Sequence, residues 1–306
     1  MPTLTIKHIT TYQYRQPVVF GEHRMMLRPR DGHDQSLIDA KLVIAPTPIR
    51  IRRTKDAFGN HVDIAHFAGR ARELRFESTI RLDHSHGDLR DLDIAESART
   101  YPFVYGAEEL PELAHLIKRR SVDPECRVER WARTFLRNDR PIDTSELLVD
   151  LTHGINQTFK YTRRLEKGIQ APMETLTLGS GSCRDLAMLM IDAARSLGMA
   201  ARFVSGYLYV PDDDDIDGGD MQGGNTHAWA QVYLPGAGWV DFDPSSGVVG
   251  NRDLVRVAVV RDPRQAIPLQ GTWMGRPSDY LGMNVAVAVS RAPPKWDEQA
   301  PMERYA

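Results

Sequence analysis

Cysteine is nearly absent from this chain: Cys126 and Cys183 are the only two in 306 residues. Two thiols build no disulfide framework, and the natural expectation is a reducing compartment. Long hydrophobic runs are missing too. No stretch approaches the roughly 18 apolar residues of a membrane span. The N-terminus, Met1-Pro2-Thr3-Leu4-Thr5-Ile6-Lys7-His8, alternates where a signal peptide would carry an apolar core. Nor does one sign of charge dominate. With 39 Lys+Arg against 41 Asp+Glu the formal charge is −2, which gives no electrostatic case for nucleic acid or an anionic membrane as a partner. Residues 1–90 hold 15 Lys+Arg against 10 Asp+Glu, and the remainder 24 against 31, an asymmetry too small to name a partner. The absences together lead to the expectation of a soluble cytoplasmic protein.

What is present is ordinary globular composition, 42% hydrophobic and 26% charged, in a chain long enough for two domains with real cores. Residues 3–14 alternate, with Leu4, Ile6 and Tyr12, Tyr14 on shared faces, and strand-like segments recur at 24–28, 41–44, 49–53, 62–67 and 74–82. Turn signals at Arg30-Asp31-Gly32, Pro46-Thr47-Pro48, Phe58-Gly59-Asn60 and Ala68-Gly69-Arg70 separate them. The pattern predicts a β-sandwich over residues 1–90. His23, His61, His66, His84 and His86 fall in this part, and His84 and His86 would share a strand face. No cysteine or carboxylate cluster completes a ligand shell by spacing, so no metal or other cofactor is expected.

Residues 91–125 read as a connector with a helix, and Tyr101-Pro102-Phe103 marks the turn before it. Helical spacing follows over 108–119 (Leu110, Leu113, Leu116, Ile117), over 128–136 (Trp131, Phe135), and at Leu147, Leu148, Leu151 and Ile155 after a Thr144/Ser145 cap signal. Cys126 stands at a helix start after Asp123-Pro124, with no constellation after it, and a structural role is expected.

The segment 126–250 reads as the functional core, organised around Cys183. Leu176 to Ser182 forms a small-residue loop that ends at this cysteine. Leu186, Ala187, Met190, Ile191, Ala194 and Leu197 then describe an amphipathic helix, with Gly198 as its stop. A thiol in a helix's first turn meets unpaired amides and the positive end of the macrodipole, which favour a thiolate. A lone cysteine there is equally a small buried apolar residue, so its partners must decide. Strands are predicted at 201–210, 226–234 and 239–243, with a hairpin turn at Pro235-Gly236-Ala237-Gly238. Helix and strands together make an α+β layer, the Cys183 helix packed on an antiparallel sheet. The loop before the second strand has Asp213, Asp215, Asp217 and Gly218 in D-x-D-x-D-G spacing, but the twelfth position is Gly224 where a calcium loop needs a glutamate; a solvated hairpin insertion is expected. Residues 251–306 read as C-terminal strands, at 254–260 and 283–290, and a frayed tail from 292.

A nucleophilic cysteine needs a base, and the base needs an acceptor on its other ring nitrogen. His227 near the start of one strand and Asp243 at the end of the next fit, since an antiparallel hairpin sets those positions side by side. Asp241 lies on the same strand face, two residues from Asp243.

Four stretches carry a resemblance: Gly181-Ser182-Cys183-Arg184-Asp185, Val204-Ser205-Gly206-Tyr207, Thr226-His227-Ala228-Trp229 and Gly238-Trp239-Val240-Asp241-Phe242-Asp243-Pro244 resemble the successive motifs of bacterial transglutaminase-like proteins. His23-Arg24-Met25-Met26-Leu27-Arg28-Pro29-Arg30 and Asp56-Ala57-Phe58-Gly59-Asn60 resemble the β-rich region that precedes the core in that family. The similarity extends through Asp253-Leu254-Val255-Arg256-Val257-Ala258 and covers roughly residues 3–291. It implies the fold shared with papain-like cysteine peptidases, with Cys183 as nucleophile, His227 as general base and acid, and Asp243, immediately before Pro244, as the residue that orients the imidazole. One departure is Asp-Pro-Ser-Ser-Gly at 243–247, where relatives often carry Asp-Pro-Thr.

The chemistry so implied is acyl transfer through a thioester, with hydrolysis of a peptide or protein amide as the leading reading and transamidation as the alternative. The Cys183 backbone N–H is the expected oxyanion donor, Tyr161 a candidate second donor, and Trp229 and Trp239 candidate cleft walls. Acetyl transfer from a small thioester uses the same order of residues, and a non-catalytic binding module is the rival from another class. The sequence leaves the oligomeric state open.

Overall fold

The structure, a computed structural model, describes residues 2–85, 92–137, 140–164, 168–209, 224–251 and 253–291. His86, the Asp213–Gly218 loop and the tail from 292 lie outside the described residues. The first 84 residues form five strands: β1 (Thr3–Met25), β2 (Gln35–Ala45), β3 (Arg50–Lys55), β4 (His61–His66) and β5 (Arg70–His84). Then come β6 (Thr100–Tyr101), α1 (Leu110–Ile117), α2 (Arg127–Arg133), β7 (Ile142–Asp143), α3 (Thr144–Thr158), β8 (Lys160–Tyr161), α4 (Pro172–Leu178), β9 (Ser180–Gly181) and α5 (Cys183–Ser196). The chain continues through β10 (Ala201–Tyr209), β11 (Gly224–Leu234), β12 (Gly238–Asp243), β13 (Val248–Val249), β14 (Leu254–Val260), β15 (Leu269–Met274) and β16 (Tyr280–Ser290).

The N-terminal strands hydrogen-bond in the order β2-β5-β1-β4-β3, and β15 and β16 also pair with β1. The two separate strands expected at 3–14 and 24–28 are one: β1 runs through both, with register shifts between Gln13 and Val18 and between Phe20 and His23. Its second half pairs with β15 and β4. One buried cluster draws Val18, Phe20 and Met25 from β1, Ile44 from β2, Ala65 from β4 and Leu74 and Phe76 from β5, so the sheet wraps a core of its own. The basic strand Arg50–Lys55 lies at the end of the strand order and is exposed throughout; charge on such an edge discourages pairing with other chains.

The second sheet is antiparallel, in the order β13-β12-β11-β10-β14. Ala228, Ala230 and Val232 of β11, with Val240 and Phe242 of β12, join Leu186, Ala187, Met190, Ile191 and Ala194 of α5 in the largest core, the layering that the apolar period of the helix requires. Farther along β10 and β14 this sheet meets the N-terminal sheet: Leu4, Ile6, Ile80 and Leu82 pack with Tyr207, Tyr209, Val255 and Val257. Domain-to-domain contact is therefore sheet on sheet.

Several local expectations shift. The cap of α3 is Asp143, whose carboxylate accepts from the Ser145 and Glu146 amides; a carboxylate outcompetes the expected Thr144/Ser145 hydroxyls. Residues 176–178, read as the start of a loop, are the end of α4, which is begun by Pro172 at its first position and closed by Gly179 in the left-handed conformation. Cys126, read as structural, is exposed at the start of α2 with φ 50°. His84 is fully buried and bonds the Leu254 carbonyl through Nε2 at 3.1 Å, a link between the sheets.

Because the two sheets share a core, they should unfold together. Ile80→Val, at a fully buried inter-sheet position, is expected to cost about 0.5–1.5 kcal/mol. Urea unfolding followed by tryptophan fluorescence and by far-UV circular dichroism should give one displaced transition in both signals; separate transitions would show that the sheets are independent.

Candidate active site

The helix that carries Cys183 begins where two short strands fix the backbone. Parallel pairing of β8 with β9 joins Lys160 to Ser180 and Tyr161 to Gly181. The Lys160 N–H donates to the Gly179 carbonyl and the Thr162 N–H to that of Gly181, both at 2.9 Å. Ser182 then caps α5 in a reciprocal capping box with Asp185. Asp185 is fully buried, and it accepts from the Ser182 amide at 2.8 Å and hydroxyl at 2.7 Å, from the Gln170 amide at 2.8 Å and from the Arg164 guanidinium at 2.9 Å. Burial opposes its ionisation, and these donors outweigh burial and hold the carboxyl below its ordinary range. A Cβ at Gly181 would stand 2.8 Å from the Asp185 Cβ, which is why the residue two before the cysteine is glycine.

Cys183 thus occupies the first helical position, partly exposed and unbonded to any other sulfur. Its thiol lies close enough to the His227 imidazole and the Tyr161 hydroxyl to raise the pKa of each. His227 in turn bonds Asp243: Nε2 stands 2.7 Å from Oδ2. With Nε2 taken, Nδ1 is the ring nitrogen left for the sulfur. Burial alone would lower the imidazole's pKa; the Asp243 carboxylate and Cys183 outweigh burial and raise it to about 10. Asp243 has no solvent exposure, and burial opposes its ionisation as well, yet His227 and the hydroxyls of Ser246 and Ser245 hold it below the ordinary carboxylate range.

The Asp-Pro-Ser-Ser-Gly departure gains a structural meaning here. Ser245 donates to Asp243 Oδ1 through its amide at 2.9 Å and its hydroxyl at 2.7 Å, and the Ser246 hydroxyl donates to Oδ2. Asn156 of α3 holds this turn through the Ser245 carbonyl at 2.9 Å. The serines were visible in the sequence, but only the folded turn aims both at the carboxylate.

The structure therefore brings Cys183, His227, Asp243 and Tyr161 together and sends Asp241 elsewhere. Asp241 accepts from the Trp229 indole N–H at 2.5 Å and from Arg256 at 3.2 Å. Trp229 is fully buried behind His227, its ring nearly parallel to the imidazole (25°, centroids 6.2 Å apart). It supports the site from within. Trp239, read as a possible cleft wall, packs on Tyr233 and under the Arg202 guanidinium at 3.9 Å; at the opposite end of its strand from Asp243 it cannot line the cleft. Among the described residues no group of three His, Cys, Asp or Glu is placed to hold a metal ion.

Comparison with known proteins follows the same division. Residues 4–83 match the bacterial transglutaminase-like N-terminal region, and residues 130–244 match the transglutaminase-like superfamily core. An uncharacterized protein of Mycobacterium leprae is 25% identical over 289 residues, 94% of this chain and 98% of its own length. One from Mycobacterium tuberculosis is 28% identical over 278 residues, 87% of this chain and 86% of its own. The solved structure of a candidate cysteine protease from Cytophaga hutchinsonii shares the fold, with a TM-score of 0.68 at 19% identity over 94% of this chain and 90% of that one. Both regions lie in one chain, in order, and the protein belongs to the transglutaminase-like superfamily, with a bacterial transglutaminase-like N-terminal region ahead of its core.

Proposed function

We propose that this protein is a thiol-dependent acyl-transfer enzyme in which Cys183, His227 and Asp243 form the catalytic triad, and that its reaction is hydrolysis of a peptide or protein amide. One observation carries the reading: a single imidazole stands 2.7 Å from a buried carboxylate and close enough to the thiol at a helix N-terminus for that thiol to raise its pKa. The fold shared with a candidate cysteine protease supports an amide as acyl donor.

The Cys183 thiolate attacks the carbonyl carbon, a C–S bond forms, and the carbonyl oxygen takes the electron pair. The amides of the first helical turn have no partner within the helix, and the Cys183 N–H is a donor for that oxygen. Tyr161 supplies a second donor. Burial and the neighbouring Cys183 push its phenol pKa above the ordinary value, so it stays protonated at neutral pH. When the intermediate collapses, the C–N bond breaks and the imidazolium gives its proton to the departing amine. His227 then takes a proton from water, hydroxide adds to the thioester, and the carboxylate leaves as the thiol reforms. An amine in place of water gives transamidation.

Profiling peptides and protein amides with wild type and Cys183→Ala, with and without an added primary amine, tests the reading. The expectation is wild-type release without amine incorporation, lost in Cys183→Ala. Incorporation would make the protein a transferase, acylation by small thioesters alone an acetyltransferase, and inactivity on every substrate would favour a binding module.

The pH dependence has a definite sign. His227 gains its proton affinity from the folded site, so the charged imidazole persists through neutrality and is lost as pH rises through about 10. The alkaline limb of kcat/KM should lie there, and Asp243→Asn should move it toward lower pH; an unmoved limb would mean that the carboxylate does not tune the imidazole. Tyr161→Phe should lower kcat by about 10²-fold with KM little changed, the behaviour of a donor used in the transition state.

A further inference from the structure

Buried behind the proposed triad lies a polar chain that the mechanism does not use. It begins in the N-terminal domain at Asp34, just before β2, and runs through Arg256 of β14 and Asp241 of β12 to Trp229 of β11. Arg256 Nη1 donates to Asp34 Oδ2 at 2.7 Å and to Asp241 Oδ2 at 3.2 Å, and its Nη2 pairs with Asp34 Oδ1. The other oxygen of Asp241 takes the Trp229 indole N–H at 2.5 Å. Gln35 clamps the Arg256 backbone at both its carbonyl, 2.8 Å, and its amide, 2.9 Å. All of these side chains are buried or nearly so.

Strand register explains why such a chain reaches the imidazole. Gly206 of β10 pairs with Arg256 on one side and His227 on the other, so the three form one row across the sheet. Gly206 leaves that row open in the middle. A Cβ there would stand 2.8 Å from the Trp229 ring and 2.0 Å from the Val255 carbonyl oxygen. The indole ring therefore lies against the glycine, held by Asp241 at its N–H and stacked beside His227. Two carboxylates sharing one guanidinium in a dry interior are a costly arrangement to keep for packing alone, because well-packed apolar side chains of similar volume often serve as well or better.

We propose that Trp229 is a positioning residue for His227, and that Asp34 holds Trp229 through Arg256 and Asp241, so that the N-terminal domain sets the reactivity of Cys183. The inference rests on the triad proposed above. It gives the N-terminal domain a part in the reaction: its Asp34 completes the support of the imidazole, and a catalytic region folded without that carboxylate would leave Arg256 with Asp241 alone of its two carboxylates.

Alkylation of Cys183 by iodoacetamide tests this on the full chain without knowledge of the substrate. Among the described residues, the groups facing His227 that titrate or carry charge are Asp243 and Cys183, with Tyr161 beyond the sulfur. Rates across a pH range are compared for wild type, His227→Ala, Asp34→Asn, Trp229→Phe and Ile80→Val, with melting temperatures measured in parallel. Asp34→Asn and Trp229→Phe should each slow alkylation near neutral pH by about 10-fold and move the pH profile toward that of His227→Ala. Ile80→Val, which weakens the same sheet-to-sheet contact away from the chain of polar groups, should lower the melting temperature and keep the wild-type profile. Wild-type profiles in both Asp34→Asn and Trp229→Phe overturn the proposal; if Trp229→Phe does not fold, Asp34→Asn decides alone. A His227→Ala profile that coincides with wild type overturns the triad itself, and the two failures are told apart by that variant.

Discussion

The buried carboxylate of Asp185 is the constraint on which the site depends. Placing a charge in the interior costs several kcal/mol unless donors surround it, and four converge on this one, from Ser182 twice, Gln170 and Arg164. Their common acceptor joins the segment before α4, the turn at Ser182 and the first turn of α5 into one unit. Cys183 has no freedom to shift along the helix without breaking that unit. The same carboxylate has an electrostatic effect on its neighbour. It occupies the positive end of the helix dipole that a thiolate would use, and Arg164 offsets its charge. On the proposed reading, the cation that stabilises the sulfur is then chiefly the imidazolium, which is why the Asp243 side of the histidine is built so fully.

The residue types of the candidate site were legible because they depend on short-range rules. The amphipathic period after Cys183 gives α5, and the glycine-rich turn at 235–238 gives the hairpin that carries His227 and Asp243. A choice between Asp243 and Asp241 came from resemblance, since a strand pattern places both on one face; the structure separates them by partner, His227 for one and Trp229 with Arg256 for the other. What escaped detection was long-range. Asp34 and Arg256 are 222 positions apart, and no local pattern announces such a pair. α4 was missed although Pro172 and Glu174 are helix-start signals, because the threonines and small residues that follow read as loop. β15 hid in the same way behind Gly271, whose missing side chain makes room for the His23 ring.

The N-terminal strands form more than a separate module placed before the core. Their sheet wraps one apolar cluster of its own and lends Leu4, Ile6, Ile80 and Leu82 to a second cluster with β10 and β14. The sheet that carries His227 and Asp243 thus packs against both α5 and the N-terminal sheet. Asn60 extends the joint, donating to the Val259 carbonyl and accepting from its amide, each at 2.9 Å.

The pairing of β1 with β16 has a consequence for how the chain is made. Thr5 lies opposite Ser290 and Ile9 opposite Ala286, so β1 meets this neighbour only after the whole of the segment between them has been synthesised. Until then one long border of β1 has open backbone donors and acceptors, the template that invites pairing with another nascent chain. Contacts so distant in sequence are slow to form. The sheet of the N-terminal domain is therefore begun before the core that follows it is translated and completed only after that core.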